Sequence, residues 1–252
     1  MTEKVQLNLE RMIPELEEYK NRGVFSAGEL QKIITTRKKH EFRLQRFDKK
    51  LLDILRYIES ETTLESIRDK RIKKKKLSYC YYDKRISEKI VKLYKEALYR
   101  FNDKKIIVKF TDYAIKKGLH ADLKDVYATY CSKNLGDAEL WIFCAIKLYE
   151  IDDIDSSRAM FLKGIRLNPE YHRLRIEFFR MEAFSILKIL ETNKKLGIED
   201  DNAEDMTFIA YNIYLDTLEI CENKKVIAEM TEISKCVEEL HCKITSTVYK
   251  KC

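Results

Sequence analysis

Apolar residues along this chain recur at intervals of three and four rather than two, the spacing that gathers them on one face of a helix. Val5, Leu9, Met12, Ile13 and Leu16 set the rhythm up to Tyr19, and Pro14 is placed to open a second helical piece, because proline is tolerated in a first turn and not inside a helix. Gly23 marks a turn. Ser26 with Glu29 three positions on has the form of a capping box, after which Leu30, Ile33, Ile34, Arg37, Glu41 and Leu44 carry a helix toward Phe47. Asp48 is placed to cap a third helix bearing Leu51, Leu52, Leu55, Ile58, Leu64 and Ile67, which runs into the basic stretch Arg68 to Lys76.

Further on the pattern repeats itself. Leu93-Tyr94, Val126-Tyr127 and Met160-Phe161 follow one another at offsets of 33 and 34 residues, and both Ile106, Leu140, Leu174 and Phe110, Cys144, Phe178 are spaced by 34. Between them, turn and cap residues fall at Asn102-Asp103, Gly118, Gly136-Asp137, Asp152 to Asp155 and Asn168-Pro169. A period near 34 predicts helix-turn-helix units, each unable to bury its apolar face alone and therefore stacked on the next. Tyr94, Phe110, Tyr127, Trp141, Phe161 and Phe178 are the expected packing residues of that stack, and truncating a buried Trp or Phe there is expected to cost ~3 to 5 kcal/mol. A long helix is predicted from Glu170 to Gly197, then an acidic loop over Glu199 to Asp205, then two helices, one with Phe208 to Leu218 and one with Val226 to Leu240. The reading is an all-α array of helical repeats, an α-solenoid, behind an N-terminal helical domain. Its divisions are 1–82, containing the basic segment 68–76, 83–197 for the repeats, and 198–252 for the acidic loop and a C-terminal helical pair.

Composition narrows this further. With 6 Gly and 2 Pro in 252 residues, the turn chemistry of hairpins, sandwiches and glycine-rich nucleotide loops is almost absent. The 7 cysteines include no C-x-x-C pair, which points away from a disulfide framework or zinc knuckle and toward a reducing compartment. No run of ~18 uncharged apolar residues predicts a membrane span. The net charge of +7 is uneven: residues 1–100 hold 26 Lys and Arg against 16 Asp and Glu, leaving 23 against 26 in the remainder. Such asymmetry points to a polyanionic or acidic neighbour at the N-terminal end.

Two segments carry a family resemblance. Leu140 to Glu150, with Trp141 and a closing Glu150, followed by Ser157 to Pro169, with Arg158, Ala159, Phe161, Gly164 and Pro169, resembles the half-a-TPR (HAT) repeat. Leu174 to Glu182 looks like another first helix, with Arg175 where Trp is usual. The opening, with Pro14-Glu-Leu-Glu17, Gly23-Val-Phe-Ser26, Ile33-Ile34, Glu41 to Arg46 and Tyr57-Ile-Glu-Ser-Glu61, resembles the N-terminal domain of the U3 small nucleolar RNA-associated protein 6 family. That resemblance covers about residues 4–185. It implies a nucleolar HAT/TPR-like scaffold in the small-subunit processome, within the UTP-B subcomplex beside WD-repeat (β-propeller) proteins, supporting pre-rRNA processing to 18S rRNA around U3 snoRNA. Family members usually continue with many more repeats than this chain has. The alternatives are a HAT scaffold of splicing or mRNA 3′-end processing, and a helical adaptor binding peptides in a concave groove.

The chemistry-bearing motifs are few. Arg68, Lys70, Arg71, Lys73, Lys74, Lys75 and Lys76 place seven cations in nine residues, a density that attracts phosphates by counterion release and makes this the candidate RNA-contact or nuclear-import patch. Tyr79, Tyr81 and Tyr82 follow it; packing against the first repeat is the first reading of them and base stacking the second. Cys236 and His241-Cys242 form the tightest His/Cys grouping, short of the four ligands a structural metal needs. His40, His120 and His172 stand apart. No nucleotide-loop, zincin or nucleophile-elbow motif occurs, so no catalytic, cofactor-binding or metal residue is expected.

Overall fold

The computed structural model describes residues 2–197, 203–221 and 223–251. Among them are thirteen α-helices, one short 3-10 turn and no strand. None of these helices is long and apolar enough to cross a membrane. The chain divides into two compact units, residues 1–122 and 123–252.

The first unit holds α1 (Thr2–Glu10), α2 (Ile13–Asn21), α3 (Ala27–Leu44), α4 (Leu51–Lys75), the 3-10 turn Tyr81–Asp83, α5 (Lys84–Phe101) and α6 (Lys104–Lys117). Pro14 sits in the first turn of α2, and Ser26 and Glu29 close a reciprocal capping box at the start of α3. Helix α3 packs on α1 and α4, and α4 lies along α5, which packs on α6. Tyr19, Ile54, Tyr57, Ile86, Ile90, Ala97, Phe110 and Ala114 form the dry centre. Three details depart from the sequence pattern. Helix α3 stops at Leu44, leaving Phe47 fully exposed, and Asp48 caps nothing: Lys50 is the N-cap of α4 and makes no side-chain bond there. The basic stretch is not an extension beyond the third helix but its last two turns, closed by Lys76 in the left-handed conformation at φ +53°.

The second unit contains most of α7 (His120–Lys133), with α8 (Ala138–Glu150), α9 (Ile154–Leu167), α10 (Arg173–Leu196), α11 (Ala203–Ile220), α12 (Lys224–Ser234) and α13 (Glu238–Lys251). Helices α8 and α9 form a closely packed hairpin, turned by Asp152 at φ +63° and started again by Asp153, whose carboxylate accepts from the Ser156 N–H. Both pack on α10, which also contacts α11 and α12. Of the acidic stretch expected as a loop, Glu199 to Asn202 lie outside the described residues, while Glu204 and Asp205 fall in the first turn of α11. The segment from Val226 to Leu240 is two helices rather than one. The chain turns at Lys235–Val237, where the Val237 N–H bonds the Ser234 carbonyl and the Ser234 hydroxyl engages the Thr231 carbonyl and His241 Nδ1.

The 34-residue rhythm has a spatial counterpart within each unit. Tyr94 of α5 meets Phe110 of α6 at a centroid distance of 5.4 Å, and one period later Tyr127 of α7 approaches Phe143 of α8 at 6.5 Å. A further period on, Phe161 of α9 stacks on Phe178 of α10 at 5.3 Å, 18° from parallel. All six packing residues, Tyr94, Phe110, Tyr127, Trp141, Phe161 and Phe178, are buried. Gly164 explains why a small residue is needed opposite the tryptophan: a Cβ there would stand 3.0 Å from Trp141 Cβ and 3.2 Å from Leu174 Cδ2.

Candidate nucleic-acid interface

The seven cations at the end of α4 separate by helical phase. At about 100° per residue, positions 68, 71 and 75 share one side of the helix, and 70, 73 and 74 share the other. The first side faces the fold. Arg68 is 3% exposed; it donates to the Asp83 carbonyl and to Asp69 Oδ1 at 2.6 Å. Arg71 makes a bidentate pair with Glu29 (2.7 and 2.8 Å), donates to the Val24 carbonyl and lies 5.0 Å over the Phe25 ring. The hydrogen bonds from Arg71 and the cap bond from Ser26 lower the Glu29 carboxyl to about 2. Lys75 donates to the Gly23 carbonyl. Two of these three charges, Arg71 and Lys75, fasten α4 to the turn between α2 and α3, and Arg68 fastens it to the loop that follows. Lys70, Lys73, Lys74 and Lys76 point outward, exposed and without an ion pair among the described residues.

The loop after α4 is held from below. Arg22 donates to both oxygens of buried Asp83 (3.2 and 3.0 Å), to Cys80 Sγ and to the Ser78 carbonyl, while Asp83 accepts from the Cys80 N–H. With its backbone clamped, the loop holds two rings outside: Tyr79 is 61% and Tyr81 64% exposed. The expectation that these tyrosines pack inward is corrected by the structure. The reason is local: Asp83, not an aromatic ring, occupies the buried place beneath the loop, and only Tyr82 is half-buried. The Arg85 guanidinium lies 5.3 Å over the Tyr81 ring, and Tyr79 lines a groove of about 690 Å³ whose charged lining is mixed, Lys73, Lys84 and Lys117 standing with Glu65, Asp69, Glu88 and Asp122.

Beneath this surface lies a buried polar network. Arg37, 2% exposed, makes a two-bond pair with Glu61 (2.8 and 2.8 Å) and reaches Glu15 at 3.1 and 3.3 Å. Burial acts to raise the Glu61 carboxyl, but the charge and hydrogen bonds of Arg37 outweigh it and hold the group below the usual carboxylate range. Tyr57 donates to Glu41, which also accepts from Asn8, and His40 stacks on Tyr57. Lys89 Nζ sits 5.2 Å over the Tyr57 ring and 3.2 Å from Met12 Sδ; burial, then the Arg37 charge, lower its amine to about 8. A second set ties α4 to α6, with Glu65 accepting from Tyr113 and pairing with Lys117 at 3.0 Å. Glu15, Glu41, Tyr57 and Glu61 all belong to the motifs that carry the N-terminal resemblance.

A family model described as U3 small nucleolar RNA-associated protein 6 matches residues 9–97, the span that contains the Arg37–Glu15–Glu61 core and the clamped loop. Over this N-terminal domain, the chain is similar to the U3 small nucleolar RNA-associated protein 6 family. The Schizosaccharomyces pombe U3 small nucleolar RNA-associated protein 6 is 29% identical over 212 residues, covering 82% of this chain and 43% of the relative. The Homo sapiens homolog is 24% identical over 251 residues, with 93% and 41% covered, and the Mus musculus homolog 25% over 197, with 75% and 32%. The chain spans about two fifths or less of the length of these relatives. In this chain, the span that matches the family model is built on a buried ionic core.

Sequence reasoning missed Arg22, Asp83 and Lys89, which carry no motif spacing and meet their partners only in three dimensions. Arg37 and Glu41 left a trace: they fall at the apolar spacing of α3, where a charge is either misplaced or buried with a partner. In the second unit, the HAT-like Arg158 pairs not with Glu150 of its own hairpin but with Glu182 of α10 (2.7 and 2.8 Å), while Glu150 pairs with Lys147. Cys236 and Cys242 are exposed, His241 bonds Ser234, and no group of three metal-ligating side chains converges among the described residues.

Proposed function

We propose that this protein is a non-catalytic scaffold subunit of the U3 small nucleolar ribonucleoprotein, the small-subunit processome, where it supports pre-rRNA processing toward 18S rRNA in the nucleolus. The observation that carries the reading is the match over residues 9–97 to a U3 small nucleolar RNA-associated family. The same span builds the Arg37–Glu15–Glu61 core. A domain held by buried ionic pairs presents a rigid surface, and stacked helix pairs offer extended faces for docking, which suits a component that positions others. Its expected neighbours are the WD-repeat β-propeller proteins of the UTP-B subcomplex. Purification of the tagged protein from its own cells, followed by quantitative mass spectrometry, tests this. Co-enrichment of WD-repeat processome subunits is expected. Recovery of splicing or mRNA 3′-end factors in their place would overturn the assignment.

A further inference from the structure

The outward end of α4 has a composition that the scaffold reading does not use. Lys70, Lys73 and Lys74 project from one side of the last two turns, Lys76 closes them, and Tyr79 and Tyr81 stand exposed within five residues. The other cations of the same run are held by partners in the fold: Arg68 by the Asp83 carbonyl and Asp69, Arg71 by Glu29, and exposed Lys75 by the Gly23 carbonyl. From Ser66 to Tyr82 the chain carries one carboxylate, Asp69, and it is already engaged by Arg68 and by Lys117 at 2.8 Å. The four outward lysines therefore have no acid of their own segment to neutralise them. Exposed aromatic rings beside unpaired cations suit one class of ligand, a polyanion that also has flat apolar faces. A duplex hides those faces in its stack; a single strand offers them.

We propose that this surface binds single-stranded RNA, with Lys70, Lys73, Lys74 and Lys76 meeting phosphates and Tyr79 and Tyr81 stacking on bases. The proposal rests on the reading of the protein as a ribonucleoprotein subunit and names the contact that reading leaves open. The rigidity of the loop supports it: Arg22 and Arg68 fix the backbone from Ser78 to Asp83, so the rings need little ordering when a base arrives. An acidic protein segment would use the lysines and leave both tyrosines without a role.

The test is fluorescence anisotropy of the full chain with a fluorescein-labelled single-stranded RNA of about 20 nucleotides and with the same sequence as a duplex, between about 50 and 200 mM KCl. Four phosphate contacts predict a slope of log K against log salt of roughly −3 for the single strand. A variant carrying Lys70→Ala, Lys73→Ala, Lys74→Ala and Lys76→Asn, the last chosen because Asn tolerates left-handed backbone, should flatten that slope by about 3. Tyr79→Ala with Tyr81→Ala should weaken single-strand binding at least about tenfold, leave the slope unchanged and leave duplex binding unaffected. The proposal is overturned if the lysine variant keeps the wild-type slope, if the tyrosine variant binds single strands normally, or if an oligo-glutamate peptide competes as well as RNA. Should any of these occur while the tagged protein still recovers WD-repeat processome subunits, the RNA contact fails and the scaffold reading stands.

Discussion

Replacing Arg37 with Met isolates what the buried ionic core of the first unit contributes. The guanidinium makes four hydrogen bonds to two carboxylates and is 2% exposed, so its removal leaves Glu15 and Glu61 facing each other without their cation. Breaking a buried pair by deleting one partner costs about 3 to 5 kcal/mol, because the remaining charge stays buried and uncompensated. The pH dependence gives the cause its signature. In the native protein the Glu61 carboxyl lies below its unfolded value, so its contribution is full above the ordinary carboxylate range and fades as pH falls through the lowered value. In Arg37→Met, burial acts on Glu61 unopposed and pushes it upward; protonation then relieves the variant, and the gap to wild type narrows between about pH 7 and pH 5. Urea denaturation followed by circular dichroism at the two pH values measures both. A loss under about 1 kcal/mol at neutral pH, or a gap that does not shrink on acidification, would refute the reasoning. Arg37→Met with Glu15→Gln and Glu61→Leu should recover most of the loss, since an apolar replacement of a whole buried ionic cluster is often neutral.

Other expectations follow from the same geometry. Gly164→Val drives a branched side chain into Trp141 and should cost about 1 to 3 kcal/mol in urea denaturation, with a shift of the Trp141 emission maximum. Phe161→Ala and Phe178→Ala should each cost ~3 to 5 kcal/mol, and the double variant less than their sum because the two rings are partners; strict additivity would contradict the stack. Glu182 is 2% exposed against partly exposed Arg158, so Arg158→Ala should destabilise by about 1 to 3 kcal/mol, and Glu182→Gln in the same background should restore part of it. The Lys89 amine lies lower in the fold than in the unfolded chain, so stability should rise as pH climbs from about 8 toward 10; Lys89→Met should flatten that rise, as read by thermal melts.

Much of the fold was legible because local physics writes it locally. The capping box at Ser26, the turns at Asn102, Gly118 and Asp152, and the 34-residue recurrence of aromatic positions each need only a few neighbouring residues to declare themselves. Where reading failed, the deciding contact was distant or unmarked. Asp48 looked like a cap because aspartate caps well, yet the chain starts α4 after Lys50 without one. The break between α12 and α13 carries neither glycine nor proline and depends on Ser234 bonding to Thr231 and His241. The candidate interface was half visible. Charge density located the basic run, but only the packing of α4 against the turn at Gly23 divides its cations into those that fasten the helix and those that face outward. Tyr79 and Tyr81 resembled core residues until Asp83, held by Arg22 from 61 positions earlier in the chain, took the buried place beneath them.

The central claim, membership of the U3 ribonucleoprotein as a working subunit, is tested most directly by the RNA that travels with the protein. Quantitative reverse-transcription PCR on the tagged protein purified from its own cells should find U3 small nucleolar RNA and unprocessed 18S precursor enriched many-fold over spliceosomal small nuclear RNAs. Enrichment of a spliceosomal RNA in its place, or of no RNA above an untagged control, would contradict the account.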